Sequence, residues 1–216
     1  MNINEAFEFL NFISNKNQSG EVSPSEFTRM ASRAQWEFFS REYEKWQQTQ
    51  DITDELAVFL KSWATAVSTT GQLTYPSDYQ HAISIRHYYV KNNNTGIQVP
   101  VKEVDNSQYG DYLQSEIVTP TLRFPIWTTY NDYMQFEPKN IGLVTFDYFR
   151  TPIDPLWAYT TVNNRPVYDP INSIDWELPS QTHNELVMMM LSYLGMNLRM
   201  PDLVQFSELQ KQEQKS

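Results

Sequence analysis

Few side chains in this sequence belong to the types that do chemistry, and their spacing decides how far each can be taken. There are three histidines and no cysteine. His81 and His87 lie near or on a segment that reads as a strand, and His183 stands apart, so no two share the helix spacing of a metal site. His183 and Glu185 are spaced like the His-x-Glu pair of zinc deaminases, but the cysteines that complete such a site are missing. Disulfides, thiolate metal sites and a cysteine nucleophile are excluded on the same ground. None of the six glycines is paired, so no phosphate-cradling loop exists, and no Gly-x-Ser-x-Gly elbow occurs. Carboxylates and aromatics remain. Asp147 and Glu137 could meet across a hairpin as a glycosidase pair. Trp127, Trp157 and Trp176 could stack on sugars. A solvated acidic face and a packed core are the commoner uses of these residues. The expectation is therefore no enzyme, no catalytic residue, no cofactor and no metal. A soluble carbohydrate-binding module or weak glycan hydrolase is the alternative.

Charge narrows the partners. The 216 residues carry 26 acidic and 16 basic side chains, a formal net charge of −10. Residues 1–60 hold ten acids against five bases, and the rest of the chain sixteen against eleven. No basic window forms, so a tight grip on a phosphate backbone is not expected. An acidic wall can still face DNA without holding it. Residues 1–15 contain no Lys or Arg, and the greasiest stretch, Leu186 to Met196, is too short to span a bilayer. A soluble chain without an export signal is expected.

The elements that must position these residues are written in the periodicities. Ile3, Phe7, Leu10 and Ile13 mark a helix over residues 3–15. In "SPSE", Ser23 can cap, Pro24 sits at the first helical position, and Glu26 completes a capping box. The helix should run over residues 24–48. It has two apolar stripes. Phe27, Met30, Ala31, Ala34 and Phe38 make one, and Trp36, Phe39, Tyr43 and Trp46 the other. A short helix is expected within residues 51–60. Ile83, Ile85 and Tyr89 alternate with Ser84, Arg86 and Tyr88 as in a half-buried strand. Residues 101–116 read as a weak helix. Tyr130 and Tyr133 flank an Asn131-Asp132 turn, Val144, Phe146 and Tyr148 share a strand face, and Asn163-Asn164 marks a further hairpin. Thr182 and Glu185 have capping-box spacing before a last helix over residues 182–199. Pro201 breaks it, and residues 202–212 restart a short helix with Leu203, Phe206 and Leu209.

The fold class is thus α+β, with N- and C-terminal helices forming a helical body and a central antiparallel β meander over about 80–168. One body is expected over 1–200, followed by a C-terminal partner-docking segment over 201–216. Met188, Met189 and Met190 point three ways around the last helix, so at least one should look outward or toward a partner. Trp36 and Tyr43 on the second stripe, with Leu203, Phe206 and Leu209 in the tail, are the candidate partner-binding residues. A tail this short should order mainly on docking.

The order of "SPSEF", "YPSDY", "TPTLRFPI", "FDYFRTPIDPLW", "YDPINSIDWELP" and the closing "ELV…LGMNL…DLVQF" pair resembles head–tail connector (ring or adaptor) proteins of tailed phages, of the crAss-like type that infects gut Bacteroides-type bacteria. The resemblance extends over nearly the whole chain. It implies a structural virion protein at the head–tail junction, assembled in the host cytoplasm. It also implies a homo-oligomeric ring, dodecameric, docked on the portal protein and on neighbouring tail rings. DNA would pass through its channel without specific binding, and no membrane is involved. The acidic surface and the need of a ring subunit for two different sticky faces are consistent with that picture.

Overall fold

The computed structural model describes residues 1–16, 20–49, 51, 53–91 and 95–197. In chain order the helices are α1 (Ile3–Lys16), α2 (Pro24–Thr49), α3 (Asp54–Ala57), α4 (Asn106–Gln114) and α5 (His183–Asn197). The strands are β1 (Leu60–Ala66), β2 (Gln72–Thr74), β3 (Tyr79–Lys91), β4 (Thr95–Pro100), β5 (Lys102–Glu103), β6 (Ile126–Thr129), β7 (Tyr133–Glu137), β8 (Leu143–Arg150), β9 (Tyr159–Val162) and β10 (Arg165–Tyr168). The chain is α+β, and all its strand pairs but β5–β6 are antiparallel among the described residues. Where one body over 1–200 is expected, the residues gather into two compact units. One is Met1–Val58 with the chain from Pro152 onward; the other is Phe59–Thr151.

The first unit is built on helices. α1 turns Ile3, Ala6, Phe7 and Leu10 inward, while Phe9 and Phe12 stay exposed. α2 starts as its sequence dictates. The Ser23 hydroxyl accepts from the Glu26 amide at 3.3 Å, and the Glu26 carboxylate accepts from the Ser23 amide at 3.1 Å. The Ser23 hydroxyl also donates to that carboxylate at 2.7 Å, and this bond, helped by the one from the Ser23 amide, holds the Glu26 carboxyl below its ordinary pKa. α5 packs against α2 and α1. It buries Leu186, Val187, Met189, Met190, Leu191 and Leu194, so it is apolar on most sides rather than on one stripe. Its start differs from expectation. The Thr182 hydroxyl donates to the Pro179 carbonyl and Glu185 pairs with Arg41, so no capping box forms there. β9 and β10 form a two-stranded ribbon in this unit, joined by Asn163 and Asn164 at φ 50° and 62°. That is the type I′ geometry which two asparagines tolerate.

The second unit is a pair of four-stranded sheets with orders β1-β8-β3-β4 and β2-β7-β6-β5. They share one core, in which Ile85, Val144, Phe146 and Tyr148 of the first sheet meet Trp127, Met134 and Phe136 of the second. Alternation along β8 puts Val144, Phe146 and Tyr148 on that inner face, as their spacing predicts. Gly71 closes the turn into β2 at φ 79°, where a Cβ would lie 2.7 Å from the Phe136 carbonyl oxygen. The Tyr130–Tyr133 hairpin forms as expected, with the Tyr130 amide donating to the Tyr133 carbonyl. Its Asn131 and Asp132 do not take positive φ; among the described non-glycine residues only Asn163 and Asn164 do. Residues 101–116 are helical only from Asn106, because Lys102 and Glu103 are drawn into the parallel bridge with Ile126 and Trp127.

The "YPSDY" segment is a structural knot of this unit. Tyr75 and Tyr79 stack at 4.5 Å. Asp78 accepts from Lys61 at 2.6 Å and from the Tyr148 hydroxyl at 2.8 Å. The Lys61 bond, helped by Tyr148 and opposed by burial, holds the Asp78 carboxyl below its ordinary pKa. A depressed folded-state pKa means the contribution is complete above about pH 4 and is lost as the pH falls through the folded value. Asp78→Asn should therefore flatten the acid side of the stability–pH curve of this unit, read by thermal melts from pH 5 to pH 2. An acid slope identical to the parent's would contradict this role.

Candidate functional site

The residues that could have supported catalysis are occupied in packing. Asp147 lies on the outer face of its sheet, where it accepts from Ser62 at 2.6 Å, Ser84 at 2.9 Å and Arg86 at 2.6 Å. It thus ties three neighbouring strands together. Glu137 belongs to the other sheet and accepts from the Tyr109 hydroxyl at 3.3 Å, so the two carboxylates are not paired. Burial, with Glu137 close by, pushes the Tyr109 phenol up. Trp127, Trp157 and Trp176 are only 3%, 3% and 5% exposed, so their faces are not offered to a sugar. His183 is buried between the Leu178 and Met1 carbonyls, and His87 meets the Leu143 carbonyl at 3.0 Å. Among the described residues no group of three acidic or histidine side chains could hold a metal ion.

Two clefts lie in the first unit. One of about 460 Å³ is lined by Ser14, Val22, Arg29, Met30, Arg33 and Leu194. Arg33 lies 4.7 Å over the ring of Tyr193, whose hydroxyl donates to Glu37; burial and that carboxylate push the phenol up. The other, about 310 Å³, is filled with its own counter-charges, as Arg41 pairs with Glu185 and Lys45 with the buried Glu42.

The second stripe of α2 is largely closed by the chain itself. Phe39 and Trp46 are buried. Trp36 is half-buried and donates its indole N–H to Asp154 at 3.3 Å. Tyr43 is half-buried between Phe39 at 6.4 Å and Trp46 at 5.5 Å. Of the three methionines, Met189 and Met190 are buried and Met188 stays half-exposed. Leu203, Phe206 and Leu209 lie outside the described residues.

Among the described residues, an extended exposed apolar surface lies elsewhere, on the segment from Ile153 to Ile174. Its base is firmly held. Gln35, fully buried on α2, donates to the Ile153 carbonyl at 2.7 Å and accepts from the Glu177 amide at 3.2 Å. The Ile153 amide donates to Glu177 at 2.6 Å, and Leu156 and Ile174 exchange both backbone bonds at 2.8 Å. Trp157 plugs the base, tilted against Phe7 with ring centroids 4.1 Å apart, and its indole N–H donates to Asn4 at 3.0 Å. Beyond this anchor the ribbon β9–β10 stands in solvent on both faces. Tyr159, Val162 and Val167 are about half exposed, and Ile171 is 89% exposed. A two-stranded ribbon is marginal in water by itself. This one is hydrogen-bonded at its root and exposed at its tip among the described residues. The second unit adds a patch after α4, where Ser115 organises a turn that leaves Ile117 94% and Phe124 68% exposed.

The Asn163-Asn164 pair marks the ribbon as a hairpin, and nothing so local marks it as a surface. The available signal was the mixing of Tyr, Val and Thr on both faces of "YTTV" and "RPVY", with no polar-out alternation. No family model and no curated protein matches this chain.

Proposed function

We propose that this chain is a structural subunit of a multi-copy particle, a head–tail connector ring protein of a tailed phage that docks on the portal and lines the genome channel. The observation that carries the reading is the rooted ribbon. A segment anchored by Gln35 and Trp157 holds Tyr159, Val162, Val167 and Ile171 out in water. Apolar side chains on a fixed frame are the mark of a surface that another molecule covers. In this reading the N- and C-terminal helices form the helical body of the subunit. The net charge of −10 suits a wall along which DNA slides, because an acidic surface repels phosphate. The motif order that resembles the connectors of crAss-like phages supports the same assignment. No catalysis is part of it.

The tail completes the proposal. Leu203, Phe206 and Leu209 are spaced to make one short apolar face, the form in which a segment docks into a partner groove. Removing residues 201–216 should leave the melting temperature of the first unit within a few degrees of the parent. The same deletion should abolish co-sedimentation with portal rings. Undiminished portal binding by the truncated chain would overturn the assignment of the tail.

A further inference from the structure

The outer edges of the sheets are not equivalent, and their differences single out two strands. In an antiparallel pair, alternate residues point their N–H and C=O groups away from the partner. The Val101 amide donates to the Ile85 carbonyl in register with β3–β4, so Gly96, Gln98 and Pro100 are the outward positions of β4. The Asp169 amide donates to the Ala158 carbonyl in register with β9–β10, so Pro166 and Tyr168 are outward on β10. Each of these edges therefore carries a proline at a position where the missing N–H would have faced a newcomer, which blocks strand addition. β2 and β5 are closed by shortness, with three and two residues.

β1 and β9 have neither protection. The bonds Arg150 N–H to Phe59 O and Val67 N–H to Gly142 O bracket β1, leaving Leu60, Ser62, Ala64 and Ala66 outward. All four are exposed, and three are small. The one lysine of β1, a residue type that guards edges, is drawn to Asp78. On β9 the outward positions are Tyr159 and Thr161, both exposed.

We propose that β9 of one copy adds to the β1 edge of the next, so that successive copies join head to tail through a continuous strand ladder. A second copy is the fitting occupant because each chain carries one open edge of each kind. Every copy gives one β9 and receives one at β1, and a closed ring leaves none unpaired. The outward groups repeat every second residue on both strands, so the ladders match. Leu60 and Leu143, 41% and 63% exposed on the outer face of the receiving sheet, offer apolar cover to Val162 and Val167. The inference deepens the ring reading by naming its subunit contact.

Thr161→Pro and Ala64→Pro remove only an outward N–H from each edge, at extended positions that proline tolerates. Should Ala64→Pro lower the melting temperature, Ala64→Lys, which keeps the backbone intact, takes its place. Native mass spectrometry of each full-length variant is expected to show complete loss of species above the monomer. An equimolar mixture of the two should stop at dimers, since one good edge of each kind remains. Rings that persist in both variants overturn the edge pairing and leave the ring reading standing. Open-ended chains of the parent that both variants abolish support the edge pairing and overturn the ring. A parent that stays monomeric overturns both.

Discussion

Trp157→Ala is expected to lower the stability of the unit that holds the ribbon by about 3–5 kcal/mol, the range for deleting a large buried aromatic. The side chain is 3% exposed and touches the fold on several sides. Phe7 of α1 lies at 4.1 Å, and Tyr159 and Tyr168 stack at 5.9 and 5.6 Å. Truncation removes that packing and leaves the Asn4 amide oxygen without its indole donor. The loss should also be local. Trp157 joins the strand ends to the helices, so amides of residues 159–168 should exchange with deuterium faster even under conditions where the unit stays folded. Trp157→Phe keeps most of the ring contact and should recover most of the stability. Unchanged exchange in Trp157→Ala would mean that the ribbon is not rooted where the structure roots it.

Phe146→Ala is expected to cost the Phe59–Thr151 unit a similar 3–5 kcal/mol or so, read as a shift in the urea midpoint with little change in slope. Phe146 is fully buried at the centre of β8, 5.7 Å from Tyr79 and 5.1 Å from Tyr148. The effect is large because β8 is an interior strand and its inner face meets the second sheet. A cavity there loosens both layers, as Met134 and Phe136 lose their facing ring. Phe146→Leu should cost distinctly less. A Phe146→Ala variant within 1 kcal/mol of the parent, approximately the cost of a surface change, would show that the sheets do not share this core.

How legible these features are in sequence follows from how local their causes are. α2 announces itself because Ser23, Pro24 and Glu26 settle its start within four residues. β8 is legible because Val144, Phe146 and Tyr148 alternate with Thr145 and Asp147, and the Asn163-Asn164 turn because few residues tolerate that φ. β1 is not, since "LKSWATA" has no alternation and becomes a strand only by pairing with β8, more than seventy residues away. The same non-local cause hides the separate β unit, whose two sheets are interleaved in sequence. Thr182 and Glu185 keep the spacing of a capping box, but Arg41 takes the Glu185 carboxylate and the Thr182 hydroxyl donates to Pro179. The ribbon surface is the hardest case. Tyr, Val and Ile promise burial in any sequence, and only the fold reveals that Ile171 and Val162 stay exposed among the described residues. Trp36 and Tyr43, by contrast, stand on an apolar stripe and are half covered by their own neighbours.

In the working particle this ribbon should lie beneath a neighbour. Hydrogen–deuterium exchange across residues 153–174, compared between dilute chain and chain assembled with portal rings, tests it most directly. Fast exchange at Tyr159 and Thr161 is expected in the dilute chain, and strong protection of both in the assembly. Assembled particles in which these two amides exchange as fast as in the free chain would contradict it.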